Sequence, residues 1–334
     1  MDMLTHGLVG AALAHTAARR EEARLAAGIG LLAGLAADAD VLIGASGDPL
    51  LTVEYHRHFT HALVFIPVGA LLASAVLWPF LRRRLPFARL YLFALLGYSL
   101  SGFLDTCTSY GTYLLWPFVN ERIAFHIIGV LDPLFTLLLL VAVAVAWWRR
   151  SHAAAVAGLA AAAVYLLFGV VQHQRADALA QELAASRGHR IERAVIKPTL
   201  ANLMLWRSIY QSGGTYHVDA VRPGLLSDSR TYPGGSISHF VPDRDLPGMP
   251  AESTLARDIQ RFTALSDGYV AIHPDRPDVL IDVRYSNLPN SVLPLWGIEL
   301  DLSRPEKRPE ERFYRDLSEG TRTAFLRMVL GLPW

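Results

Sequence analysis

Cysteine is nearly missing from this chain: Cys107 is the single one in 334 residues. That excludes an intrachain disulfide framework and any zinc site built on several thiolates. Excess charge of one sign is missing too, with 31 basic against 30 acidic residues and a net charge of +1. The arginines form only short clusters, so no basic face exists for nucleic acid. Internal repeats and low-complexity tracts are absent. Charge of any kind is scarce, at 18% of residues against 52% hydrophobic. A chain this apolar is not an ordinary soluble domain, yet it is long enough to carry one as an appendage to a membrane part. No Lys or Arg precedes the first apolar run in "MDMLTHGLVGAALAHTA", so that stretch does not read as a cleaved signal peptide.

Apolar segments recur at about 4 to 18, 24 to 43, 59 to 81, 89 to 105, 126 to 148 and 153 to 172. Most approach the ~20 residues with which a helix crosses a bilayer. The first is short and weakly apolar, and reads as a half-buried or tilted helix. Arginine-rich joints at 18 to 24, 82 to 89 and 147 to 152 occupy every second connection, which places them in the cytoplasm. The other side then receives the N-terminus, the loops 44 to 58 and 106 to 125, and everything after about 173. His6, Asp38, Asp40, His56, His58, His61, Asp105, His126 and Asp132 all fall at that outer edge, contributed by four or five separate helices.

"LAADADVLIG" puts Asp38 and Asp40 at the carboxyl end of an apolar helix, where the helix dipole disfavours carboxylates by up to about 1 kcal/mol each. A bound cation would offset this; solvation at the headgroups is the alternative. In "HRHFTH", His58 and His61 share a face if the helix has begun, and His56 in the loop reaches the same point. Three imidazoles opposite two carboxylates suit a divalent metal, zinc first and manganese second. Asp105 is the third carboxylate on this face. Asp132, followed by Pro133, reads as lying about a turn and a half inside a span. It is either functional there or takes up backbone groups freed by the proline. Trp116 and Phe118 fit an interfacial aromatic belt.

From about 173 the runs shorten while acidic residues, prolines and glycines accumulate. "QHQRADALAQELAASRG" reads as a helix ending at Gly188, "DVLIDVRYSN" and "LWGIELDL" as strands, and "ERFYRDLSEGTRTAFLRMVL" as a closing amphipathic helix. The expected fold is therefore an all-α polytopic membrane domain of five to six helices over 1–172, followed by a small soluble α+β domain over 173–334, extracytoplasmic by the charge rule.

Five ordered motifs, "LTHGLVGAAL", "DAD" at 38 to 40, "HRHFTHAL", "LDTCTSYGTYLLWPF" and "LDPLFTLLL", resemble the bacterial membrane-bound metal-dependent hydrolases of the YdjM type. The resemblance covers about residues 3 to 140. It implies an inner-membrane hydrolase with His6, Asp38, Asp40, His56, His61 and Asp105 as metal positions. Ser101 stands where many relatives have a histidine four residues before the third-motif aspartate, and His58 where they usually have glycine. The resemblance then implies one metal in place of two, or none, unless His58 replaces the missing ligand. The His/Asp pattern is also similar to zinc-dependent phospholipase C and P1-type nucleases.

Metal-assisted hydrolysis is the expected chemistry, with a non-ligating group among Asp40, His58 and Asp132 as the proton acceptor. A site at headgroup depth favours a lipid, lipid-linked phosphoester or other small-molecule substrate. Two other classes remain open: a transporter relaying cations or protons, and a non-catalytic anchor presenting the soluble domain.

Overall fold

The computed structural model describes residues 1–44, 47–225 and 228–334, so residues 45 and 46 of the loop read as 44 to 58 lie outside the described residues. The chain divides into two compact units. The first comprises Met1–Ile43, Tyr55–Val171 and Leu200–Asn202, and the second Gly44–Glu54, Gln172–Thr199 and Leu203–Trp334.

The first unit is helical: α1 (Met3–Thr16), α2 (Ala23–Ala36), α4 (Ile66–Leu81), α5 (Phe87–Tyr98), α6 (Ser101–Cys107), α7 (Pro133–Arg149) and most of α8 (His152–Ser186), while α3 (Pro49–Tyr55) belongs, up to Glu54, to the second unit. Among the described residues four stretches are long and apolar enough to cross a membrane: Ala23–Leu42, Leu63–Leu81, Phe87–Cys107 and His152–Ser186. Pro133–Arg149 is a shorter apolar helix. Leu72, Val76 and Phe80 of α4, Leu134 and Leu137 of α7, and Val164 and Leu167 of α8 are exposed, as lipid-facing side chains must be.

The opening segment behaves differently from the tilted, half-buried helix expected of it. Residues Thr5 to Ala12 of α1 are all buried, and the helix packs on α2, α5 and α7. Its weak hydropathy reflects a central position, where Gly and Ala serve close packing better than Leu serves lipid. Gly10, Gly30 and Gly97 bring α1, α2 and α5 backbone to backbone. A Cβ on Gly97 would lie 2.5 Å from the Gly30 carbonyl oxygen, and one on Gly34 2.5 Å from that of His6.

The fifth segment corrects a boundary. It was expected from residue 126, but α7 begins at Pro133, with Asp132 as N-cap accepting from Phe135 N at 3.0 Å. Proline suits the first helical turn, where no N–H is required, so Asp132 stands before the helix and not inside a span. The stretch ahead of it is non-helical, held by bridges Thr108–Ile128 and Thr112–Ile123. It is tied to the histidine segment by Tyr113 N and Thr112 Oγ1, which donate to the Arg57 carbonyl at 3.3 and 2.6 Å.

The second unit is α+β. β1 (Arg193–Pro198), β2 (Trp206–Ser212), β3 (Thr215–Arg222), β4 (Arg230–Tyr232) and β5 (Ser236–Ser238) form one antiparallel sheet; β6 (Val270–His273), β7 (Arg276–Asp282), β8 (Trp296–Glu299) and β9 (Glu310–Phe313) form another. Gly213 and Gly214, both at positive φ, make the two-residue turn of the β2–β3 hairpin. Helices α9 (Pro242–Asp245), α10 (Thr254–Leu265) and α11 (Glu319–Leu330) complete it. The closing helix was expected from residue 311. Instead Glu310–Phe313 pairs with β8, and Ser318 caps a helix that starts at Glu319. Leu50 of the segment 44–54 is fully buried with Phe262 and Leu280, and Arg261 pairs with Glu54 at 2.7 Å.

The glycine contacts generate a test. Gly34→Val should cost about 3 kcal/mol through overpacking and lower the Tm of the purified protein, whereas Gly320→Ala, in open space, should leave it unchanged.

Candidate metal centre

Helix α2 tightens into a 3-10 turn at Ala37–Leu42, which carries Asp38 and Asp40 inward; each residue is 1% exposed. This excludes the reading in which they are solvated among headgroups. His6 comes from the first turn of α1, where its backbone abuts Gly34. His61 ends a short 3-10 turn, Phe59–His61; its carbonyl lies where a Cβ on Gly102 would be. Asp105 comes from α6. Absent side chains at Gly34 and Gly102 thus let four separate chain segments meet.

His6, Asp38, His61 and Asp105 offer ligand atoms that all lie within 4.8 Å of one another, and their side chains are at most 2% exposed. His6 Nδ1 is 2.8 Å from Asp38 Oδ2. His6 Nε2 lies 3.3 Å from Asp105 Oδ1, and His61 Nε2 lies 3.1 Å from Asp105 Oδ2 and 3.7 Å from Asp38 Oδ1. Despite this proximity, His6 Nε2, His61 Nε2 and Asp105 Oδ2 have no hydrogen bond of acceptable geometry. Leaving buried polar atoms unsatisfied costs about 1–3 kcal/mol each. Two imidazole nitrogens and two carboxylates converging on one point form a donor set that fits a four-coordinate divalent metal.

Asp40 stands beside this group. Its carboxylate lies 3.3 Å from His61 Nδ1, accepts from Arg57 N and Thr60 Oγ1 at 2.7 Å each, and lies 3.1 Å from His56 Nδ1. A carboxylate on the remote nitrogen of a ligating histidine orients the ring. His56, a quarter exposed, therefore connects to the centre through Asp40. Arg57, between the two histidines, adopts φ 58°; a left-handed non-glycine residue costs of order 1 kcal/mol, offset here by its amide bond to Asp40.

His58 lies apart, its ring 4.5 Å from Tyr113 and 5.7 Å from both Tyr55 and Trp116 by centroids. Asp132, fully buried, accepts from Tyr165 OH at 3.0 Å in addition to capping α7. His126 is outside the group of four. Ser101 is buried, and its hydroxyl has no hydrogen bond among the described residues.

Arg57 is the residue sequence reasoning missed. It is 3% exposed, its Nε lies 3.2 Å from Asp105 Oδ2, and its Nη2 donates to the Met1 carbonyl at 2.6 Å. The Met1 amino group also contacts Asp105. The only signal was a cation inserted between histidines in "HRH", which reads equally well as a solvated loop charge.

Helical architecture with several apolar spans and a buried His/Asp centre defines a multi-pass membrane protein with a candidate metal site. The pattern of the family described as YdjM inner membrane protein matches residues 1–176, and the chain belongs to that family. No curated protein and no solved structure matches it.

His61, two residues ahead of the span Leu63–Leu81, titrates abnormally. Burial lowers its pKa, but the neighbouring carboxylates of Asp38, Asp40 and Asp105 outweigh that and raise it to about 9. With no cation present the ring is thus protonated at neutral pH, and an arriving metal must displace that proton. Zn²⁺ titration calorimetry at pH 7.5 in buffers of different ionisation enthalpy should show release of about one proton per ion. Affinity should climb with pH toward 9 and level off above it; buffer-independent heats would contradict this. Asp132→Asn, which keeps an N-cap acceptor, should leave metal content unchanged, while Asp132→Ala should cost about 1 kcal/mol of stability. Loss of metal from the Asn variant would place Asp132 in the centre.

Proposed function

We propose that this YdjM-family protein is a metal-dependent hydrolase acting on a lipid or other phosphoester at the outer face of the bacterial inner membrane, with its C-terminal domain extracytoplasmic. The observation that carries the reading is the convergence, in one buried group, of His6 Nε2, His61 Nε2 and Asp105 Oδ2, which lie close to one another without a hydrogen bond of acceptable geometry. Charge supports a cation: the three carboxylates of Asp38, Asp40 and Asp105 stand against the Arg57 guanidinium and the Met1 amino group, both of which meet Asp105. Nitrogen and carboxylate donors favour zinc, with manganese second.

His6, Asp38, His61 and Asp105 would hold the ion, which when bound supplies Lewis-acid polarisation of the scissile group and activation of water. Asp40 holds His61 in the tautomer that presents Nε2. His56, hydrogen-bonded to the same carboxylate and partly open to solvent, would accept a proton from water through its other nitrogen. Asp40 thus serves as a positioning group. The aromatic surroundings of His58 and the capping bonds of Asp132 support structural roles for those two.

Metal content by mass spectrometry tests this reading. Purified wild type should carry near-stoichiometric zinc or manganese, and an Asp38→Ala/His61→Ala variant should lose more than about tenfold of it while remaining monodisperse. If supplemented wild type carries no metal, the hydrolase assignment fails.

A further inference from the structure

Next to the metal centre, three side chains that bear or can bear positive charge gather on one neutral ring. The guanidinium carbons of Arg57 and Arg122 lie 5.2 and 4.3 Å from the Tyr110 ring centroid, and the His56 ring lies 5.5 Å from it. Arg122 also lies 5.1 Å from the Tyr113 ring centroid, and its Nη2 donates to the His56 carbonyl at 3.4 Å. The bridge between Thr112 and Ile123 folds the chain back so that residue 122 returns to Tyr110. The metal-group side chains are sealed, whereas His56, Tyr110 and Arg122 are half-buried, so they form a partly open edge of the centre.

We infer that this edge is an anion subsite that receives the phosphoryl oxygens of the substrate, with Arg122 as its specificity-determining residue; the inference rests on the hydrolase reading above. A guanidinium laid against an aromatic ring keeps its N–H fork in the guanidinium plane, matched to two oxygens of a phosphate. The place of Arg122 over Tyr110 and near Tyr113, with one donor on the His56 carbonyl, positions it and reduces the entropy lost when an anion exchanges for or joins its present partners. Arg57 is a fixed charge behind the same ring, held by Asp105, Thr108 and the Met1 carbonyl. Its charge is matched by Asp105, one of the four metal-group residues. A cation drawing on that carboxylate weakens the match and leaves Arg57 to attract an incoming anion. Anion binding is therefore coupled to metal binding, and the subsite is strongest when the centre is loaded.

The test uses full-length protein in nanodiscs, loaded with Mn²⁺, and reads ³¹P relaxation of inorganic phosphate and of soluble dihexanoyl phosphatidic acid. Wild type should bind phosphate, and apo protein should bind it at least about tenfold more weakly. Arg122→Gln should weaken phosphate by about tenfold or more and Arg122→Lys by less, while Mn²⁺ affinity stays unchanged in both; unchanged Mn²⁺ affinity also certifies the fold. Tighter binding of the phosphatidic acid than of phosphate would identify the ligand as a lipid headgroup, and equal binding a free phosphoester. Equal phosphate affinity in wild type and Arg122→Gln, or no phosphate binding to Mn²⁺-loaded protein, overturns the subsite but leaves the metal centre standing. Failure to bind Mn²⁺ or Zn²⁺ overturns the hydrolase reading, and the subsite with it.

Discussion

Backbone contact between helices is the constraint on which the membrane unit depends. In lipid no hydrophobic force draws one apolar helix to another, so association relies on dispersion and close approach. Gly10, Gly30 and Gly97 supply that approach for α1, α2 and α5, and Gly34 meets the carbonyl of His6 directly. The same seam sets the chemistry. With a side chain at Gly34, α1 would ride farther from α2, and His6 Nδ1 would not reach Asp38 at 2.8 Å. Gly102 does the same for the His61 turn. Packing and site are one arrangement, which is why the polar residues of α1 can be both central and fully buried.

Burying three carboxylates, two histidines and an arginine together carries a large desolvation cost, and each group is affordable only through its neighbours. Asp40 shows how the compensation is distributed: it takes an amide, a hydroxyl and two imidazoles at once. Arg57 offsets Asp105 from the other side. Within the group of four, the atoms that lack a hydrogen bond of acceptable geometry face one another across the centre, which concentrates donor atoms at a single point. Histidines at an interface would have their nitrogens in water, whereas those of His6 and His61 are sealed among carboxylates, an arrangement that could hold a cation.

Much of the architecture was legible because bilayer thickness imposes a length on apolar runs, and arginine clusters punctuated them. The change of composition after about 173 announced a different fold for the same reason: short runs with turn residues cannot span. Several particulars were not legible. Helix α1 looked weakly apolar, since period and hydropathy do not distinguish a helix facing lipid thinly from one enclosed by other helices. Asp132 looked intramembrane because a proline inside an apolar run can kink a helix or start one, and only the cap bond to Phe135 decides. Residues 311 to 313 carried a helical pattern that pairing with β8 overrode, and the helix starts only after the Ser318 cap.

For the candidate site, the sequence by itself determined the donor inventory: which histidines and aspartates sit at span ends, and therefore that they can share one face of the membrane. Local spacing put His56, His58 and His61 on equal terms. Tertiary structure separated them, sending His61 to the group of four, His56 to Asp40 and His58 among aromatic rings. The physical reason is that a ligand is selected by where its nitrogen points once the backbone turns, and the left-handed turn at Arg57 is stabilised by Asp40, seventeen residues away. Contacts between segments so far apart in the chain leave no periodicity for a sequence to display.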